Sequence, residues 1–193
     1  MVNIIPDVNF STNEGYTSLS KGQRVKVGSA SVKVTDAYGI RSFKGREGQH
    51  SRGIDVTTST GKAHAFQDGI IESIKLQGSG KVITPSQGKA AGYYVTMLNN
   101  DGSRTQYMHL DPMSETDMKN LKGRKVKRGD EIWGYSIGSG SMKGQHVKVR
   151  HYGDDTKFNI DPSQLIRGEK YSFIPDSKGN NILNLSNGGL LKI

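Results

Sequence analysis

The stretch GQHSRGIDV, residues 48–56, places a histidine, an arginine and an aspartate within six residues, around Gly53. Histidine and aspartate side chains are common metal ligands, so His50 and Asp55 have the composition of half a metal site. If the chain supplies the remaining metal ligands, the site has the composition of an enzyme's metal centre. If it does not, the chain has lost the chemistry of such an enzyme. The answer depends on which other side chains the fold brings to Asp55.

Composition predicts a β-rich chain of one main domain. The 193 residues suffice for one ordinary domain with extensions, and 33% of them are hydrophobic, enough for a modest core. The 25 glycines indicate many turns between short strands. The absence of cysteine excludes disulfides, thiolate metal sites and a cysteine nucleophile.

The charge balance favours anionic partners. The chain has 27 Lys and Arg against 18 Asp and Glu, a formal charge of +9, although the excess also serves solubility. The densest basic run, KNLKGRKVKR (119–128), has no interleaved aromatic residue to stack on bases, so specific nucleic-acid binding is not expected. The first residues lack the pattern of a secretory signal, and no segment is apolar enough to span a membrane. We therefore expect a product made in the cytoplasm without a signal peptide.

The local patterns predict short antiparallel strands and few short helices. GIIESIKL (69–76) and the segments on either side of the NNDG turn (99–102) are typical strands, the latter two forming a hairpin. A short helix is expected after Ser114, which is its N-cap. We predict three regions: an N-terminal extension over 1–30, in which QRVKV (23–27) is an edge strand at most, a domain over 31–167, and a C-terminal extension over 168–193.

The alternation of side chains in HVKVRHY (146–152) predicts which of them meet. The two valines and His151 share the face that packs on the core, so His146, Lys148 and Arg150 point above the sheet. His109 ends the second strand of the hairpin and is expected on the same side. Asp55, His109 and His146 therefore form a predicted cluster, each supplied by a different strand.

A series of motifs resembles the lysostaphin-type (LytM-like) zinc endopeptidases that cut peptidoglycan cross-bridges. Between Ser31 and Arg167 the motifs occur in the order of that family: GIR (39–41), SRGID (51–55), KAHAFQDG (62–69), YMHL (107–110), VKRGDEIWG (126–134), GQHVK (144–148) and IDPSQLI (160–166). The resemblance implies an antiparallel sheet, similar to the duplicated hybrid motif, with a groove above it.

The resemblance also assigns zinc ligands, and this chain departs from them. The family binds zinc through the His and Asp of H-x-G-x-D and the second His of H-x-H; the matching positions hold Ser51, Asp55 and Lys148. Catalytic zinc needs three protein ligands and an open position for water. The lysine ammonium has a usual pKa of about 10.4 and no free lone pair, so it is expected to pair with Asp55 in place of the metal. His50, one residue before the ligand position at Ser51, is a possible substitute, but together with Asp55 it gives only two ligands. His151 lies on the core-facing side of its strand, so it does not supply the third.

The remaining site residues follow from the same comparison. His109 and His146 match the family's two histidines that assist catalysis without binding zinc, and here they are expected to be an inactive remnant. Arg52, Lys148 and Arg150 make the groove basic enough to hold an anionic group or partner. His64 and Trp133 are expected to be packing residues, with sugar stacking as the alternative for Trp133.

We expect a non-enzymatic binding or assembly module with no cofactor, plausibly a phage tail or baseplate component in the virion, whose terminal extensions contact protein partners. Peptidoglycan or another anionic polymer is a further expected ligand. The alternatives are an active zinc endopeptidase with an altered site around His50, Asp55 and His146, and a nucleic-acid-binding protein that relies on charge.

Overall fold

The computed structural model describes residues 18–41, 47–76, 92–137, 146–152, 159–169, 171–175, 181–185 and 190–192. The glycine-rich loop at 138–145 and residues 1–17 of the predicted N-terminal extension lie outside them. Within them the chain is mainly antiparallel β-structure with short helices, so the predicted fold class is confirmed.

A nine-stranded antiparallel sheet dominates the described residues. Its strands are β1 (Arg24–Val27), β2 (Ala30–Asp36), β5 (Ile54–Thr58), β7 (Gly69–Leu76), β8 (Tyr93–Asn99), β9 (Arg104–Leu110), β10 (Lys125–Val126), β12 (Val147–Tyr152) and β13 (Asn159–Ile160). Their order in the sheet is β1-β2-β5-β12-β9-β8-β7-β10, with β13 paired to β12. The central position of β12, between β5 and β9, brings together segments that are distant in sequence.

The core lies on one face of this sheet. Alternate residues of the central strands are fully buried there, among them Val34, Val56, Tyr107 and Val149. Period-2 alternation sends their neighbours to the other face, which carries the charged side chains of Asp55, Lys148 and Arg150. The sheet therefore has one apolar face and one more polar face that carries the candidate site.

Smaller elements surround the main sheet. Two-stranded pairs are formed by β3 (Gly39–Ile40) with β4 (His50–Ser51) and by β6 (Lys62–His64) with β11 (Glu131–Gly134). Helix α1 (Glu115–Leu121) begins after Ser114, which makes the predicted N-cap and a capping box with Asp117. Helix α2 (Ser163–Arg167) ends at Gly168, whose left-handed backbone at φ 85° terminates it.

The predicted N-terminal boundary is corrected by the structure. Strand β1 pairs with β2 along its whole length, Leu19 is buried in the core, and the Ser18 hydroxyl donates to Asp161 at 2.6 Å. Residues 18–30 therefore belong to the main domain, because QRVKV buries Val27 as well as supplying an edge. In the C-terminal extension, β14 (Tyr171–Pro175), β15 (Asn181–Leu185) and β16 (Leu190–Lys192) form a separate three-stranded sheet.

Candidate functional site

The site is centred on Asp55 and Lys148, which are direct cross-strand partners on β5 and β12. Opposed residues of an antiparallel pair project to the same face with their Cβ atoms about 5 Å apart. Gly53 permits this register, since a Cβ there would lie 2.4 Å from the carbonyl oxygen of Val149. Only glycine lets the two strands approach this closely at that point.

Lys148 and Asp55 form a largely buried ion pair. Lys148 Nζ donates to Asp55 Oδ1 at 2.9 Å and to the Ser51 hydroxyl at 3.2 Å. Ser51 in turn donates to the carbonyl oxygen of Gly53 at 2.8 Å, and its oxygen accepts from both Lys148 and Arg41. The side chains of Lys148 and Asp55 are 12% and 8% exposed, so the pair is shielded from water. The ammonium thus lies among the residues at all three positions that the motif comparison assigned to zinc ligands.

Arg41 is a second cation at the site, which the sequence interpretation noted only as part of a landmark. Its Nε donates to Asp36 Oδ2 at 2.8 Å, and its Nη2 lies 3.3 Å from Ser51 Oγ and 3.8 Å from Asp55 Oδ2. A β-bulge at the end of β2 places Asp36 opposite Asp55 on the neighbouring strand. Two cations therefore neutralise the two carboxylates: Lys148 contacts Asp55, and Arg41 lies beside both Asp36 and Asp55.

His146 and His109 complete the cluster above the sheet. The His146 Nε2 lies 3.5 Å from Asp55 Oδ2, and the two imidazole rings meet edge to face with centroids 5.3 Å apart. His109 has a left-handed backbone at φ 68° and is the extra residue of a bulge between β8 and β9. This conformation is uncommon for a residue with a Cβ, and it turns the histidine out of the regular strand alternation.

Burial and neighbouring charge act on both basic groups. Burial lowers the pKa of His146 below its usual value; Asp55 opposes this shift, and Lys148 adds to it. Burial also lowers the pKa of Lys148, which the Asp55 carboxylate opposes and the nearby Arg41 and Arg150 reinforce. The ion pair with Asp55 is therefore what favours a charged lysine in this position.

The residues present do not fit a catalytic zinc ion. At the three expected ligand positions, Ser51 is engaged as a hydrogen-bond donor, Lys148 presents N–H groups, and Asp55 already accepts from that ammonium. Zinc requires three lone-pair donors from the protein. Among the described residues no three His, Cys, Asp or Glu side chains are grouped so that they could hold a metal ion.

The other predicted residues are placed as follows. His50 packs edge to face on Tyr38, with ring centroids 5.2 Å apart, in the β3–β4 pair. Arg52 is exposed, whereas the stem of Arg150 passes over Gly53. His64 is buried with both ring nitrogens hydrogen-bonded, to Thr60 and to the carbonyl of Gly129, in accord with a packing role.

These landmarks meet around one point of the sheet. A single cluster contains Arg41 from the GIR segment, Asp55 from the SRGID segment, His109 from the end of the YMHL strand and Lys148 from the HVK strand. An antiparallel sheet on which these motifs converge is what the resemblance to the lysostaphin-type peptidases predicts.

No family model and no curated protein matches the chain. Among solved structures it is similar to the catalytic domain of the prophage-encoded M23 protein EnpA from Enterococcus faecalis, with 20% identity and a TM-score of 0.46 over 78% of this chain and 91% of that one. It is also similar to a chain of the SpoIIIAH–SpoIIQ complex, with 20% identity and a TM-score of 0.46 over 68% of this chain and 90% of that one. A zinc-containing peptidase from Vibrio cholerae is similar with 20% identity and a TM-score of 0.43, over 74% of this chain and 36% of that one.

Proposed function

We propose that the chain is a non-enzymatic binding or assembly module built on a lysostaphin-type endopeptidase fold. The observation that carries the proposal is the ammonium of Lys148, 2.9 Å from the carboxylate of Asp55 and 3.2 Å from the Ser51 hydroxyl. A fixed positive charge there repels a divalent cation and already neutralises the carboxylate that would bind it.

The remaining histidines do not replace the missing chemistry. A zinc ion would supply a water that is nucleophilic near neutral pH, and the positions that would hold it carry Ser51, Asp55 and Lys148. His109 and His146 contact each other edge to face, and burial lowers the pKa of His146, so it is largely neutral at pH 7. We assign the pair to the shape and hydrogen bonding of a binding surface.

The partners we propose are proteins and anionic groups. The chain has a formal charge of +9, and β14–β16 form a sheet separate from the main one. We propose this sheet as the contact to a neighbouring subunit. A phage tail or baseplate is the narrower setting that we propose, with the chain present in the virion; mass spectrometry of purified particles tests it. Within the described residues no helix is long and apolar enough to cross a membrane.

Metal analysis of the purified protein tests the proposal directly. We expect far less than one zinc per chain after dialysis, and the same content in Asp55→Ala. Stoichiometric zinc that Asp55→Ala abolishes would instead favour the alternative, an active zinc endopeptidase with an altered site.

A peptidoglycan-release assay provides the second measurement. Wild type and the double variant His109→Ala, His146→Ala should release equal amounts of peptide, because neither has a metal-activated water. Chelator-sensitive release by wild type alone would refute the proposal. Binding to duplex DNA with little salt dependence would exclude the charge-driven nucleic-acid alternative, which requires a steep loss of affinity with salt.

A further inference from the structure

Most polar side chains on the site face of the central strands are already engaged with one another. Gln106, opposite Arg150 on β9, donates to Thr96 at 3.2 Å and accepts from the Tyr152 hydroxyl at 3.0 Å. Arg104 forms a two-pronged ion pair with Glu72, with distances of 2.8 and 2.9 Å. These groups are therefore not available to a ligand without breaking existing hydrogen bonds.

Two cations at the centre of this face are different. Lys148 has three N–H donors and uses two of them, on Asp55 and Ser51. Arg150, two residues along β12 on the same face, forms no hydrogen bond or ion pair with any residue in the described part of the chain, and its buried Nε has no partner there. The positive charge of Arg150 acts on Lys148, two residues away on the same face of β12.

A buried guanidinium nitrogen without a partner is costly, and an anion that engages the guanidinium reduces that cost. From this geometry we infer that Lys148 and Arg150 form a binding site for a single carboxylate group, carried by a peptide that lies on the site face. The inference rests on the proposed function, because it requires the ammonium of Lys148 where a metal would otherwise be.

The residues around Lys148 and Arg150 determine which anionic group binds and what kind of molecule carries it. The planar fork of an arginine matches the two oxygens of a carboxylate. Asp55 lies 2.9 Å from the same ammonium, so it would repel a doubly charged phosphate more strongly than a carboxylate. Beside the cations, Tyr94 on β8 is opposite the buried Met108 on β9, and its partly exposed ring offers an apolar contact to the rest of a peptide.

Calorimetric titration with three short peptides tests the site. The probes are an N-acetylated alanine tripeptide with a free C-terminal carboxylate, the same peptide as its C-terminal amide, and an amide in which the central alanine is glutamate. We expect at least one carboxylate peptide to bind about tenfold or more tightly than the neutral amide, as a charge-assisted hydrogen bond provides. A preference for the first or the third peptide identifies the source as a terminal or a side-chain carboxylate.

Arg150→Gln and Arg24→Gln form a matched pair, since both remove one positive charge, and the exposed Arg24 lies on edge strand β1, which β2 and β5 separate from β12. Arg150→Gln should abolish the preference for the carboxylate, and Arg24→Gln should leave it unchanged. Equal binding of all three peptides, an equal loss in both variants, or tighter binding of inorganic phosphate than of any peptide would overturn the inference. Zinc retention would refute the proposed function instead, so the two failures are distinguishable.

Discussion

Replacing Asp55 by asparagine tests whether the ion pair with Lys148 is a buried structural element. The variant leaves an ammonium whose side chain is 12% exposed beside a neutral amide. Removing one partner of a buried pair costs about 3 kcal/mol, because the remaining charge stays desolvated. We expect Asp55→Asn to lose about that much unfolding free energy at pH 6.

The pH dependence of this loss has a definite sign. Burial holds the pKa of Lys148 below its unfolded value, and Asp55 is the largest influence that opposes the shift. In Asp55→Asn the pKa of Lys148 in the folded protein falls further. Between this pKa and the pKa of Lys148 in the unfolded chain, the unfolded chain binds more protons than the folded one, and this pH range is wider than in wild type. Stability then rises with pH across that window, and the deficit relative to wild type should shrink between pH 6 and pH 9.

Lys148→Met completes a double-mutant cycle. It removes the ammonium, while His146 and Arg41 still lie 3.5 Å and 3.8 Å from the Asp55 carboxylate, so we expect a cost of only about 1 kcal/mol. The double variant should be about as stable as Lys148→Met alone, which gives a coupling energy of about 3 kcal/mol between the two side chains.

Urea unfolding with linear extrapolation measures all four proteins at both pH values. Asp36→Asn is the control, because it removes a carboxylate from the same cluster that the lysine does not contact. A loss below about 0.5 kcal/mol for Asp55→Asn, or additive effects in the cycle, would show that the pair behaves like an exposed surface pair. The charge-replacement argument would then fail.

Three further changes have defined outcomes. Gly53→Ala places a Cβ 2.4 Å from the carbonyl oxygen of Val149, so thermal melting should show a loss of about 3 kcal/mol or more from strand separation. Burial lowers the pKa of His151 to about 4, so acid should destabilise wild type as the pH falls from about 6.5 to 4, and urea unfolding should show a smaller loss over that range in His151→Phe. The double variant Ser51→His, Lys148→His restores the expected ligand set beside Asp55 and should gain about 2.7 kcal/mol at a zinc concentration one hundred times its Kd, measured by melting with and without zinc; no shift in any variant would contradict the site alignment.

The sequence predicts what depends on local rules. Strand β7 has the predicted bounds, the β8–β9 hairpin follows its Asn/Asp-Gly turn, and Ser114 caps α1. The pairing of Asp55 with Lys148 also follows from the sequence. The motif resemblance places both residues at ligand positions, and strand alternation predicts that Lys148 lies on the face above the sheet. The core role of residues 18–30 was not, because polar composition hides the burial of Leu19 and Val27.

Arg41 shows why part of the site was missed. Its position in the cluster depends on the β3–β4 pair, which is only two residues long on each strand, and on the bulge that places Asp36 opposite Asp55. Neither feature has a period or a turn motif that a sequence reveals. The GIR motif (39–41) is the available signal in the sequence, but it does not indicate which group the arginine contacts.

His109 was predicted on the correct side of the sheet, although regular alternation argues against it. Met108 is opposed to Lys148 on the site face, so the next residue of a regular strand would point into the core. The bulge and the left-handed backbone at φ 68° reverse that direction, at a cost of about 1–2 kcal/mol for a residue with a Cβ. Such strain persists where surrounding structure imposes it and commonly marks a functional surface. The strained backbone holds the imidazole against His146 beside the Lys148–Asp55 pair, which favours a binding role for this face of the sheet over a purely structural one.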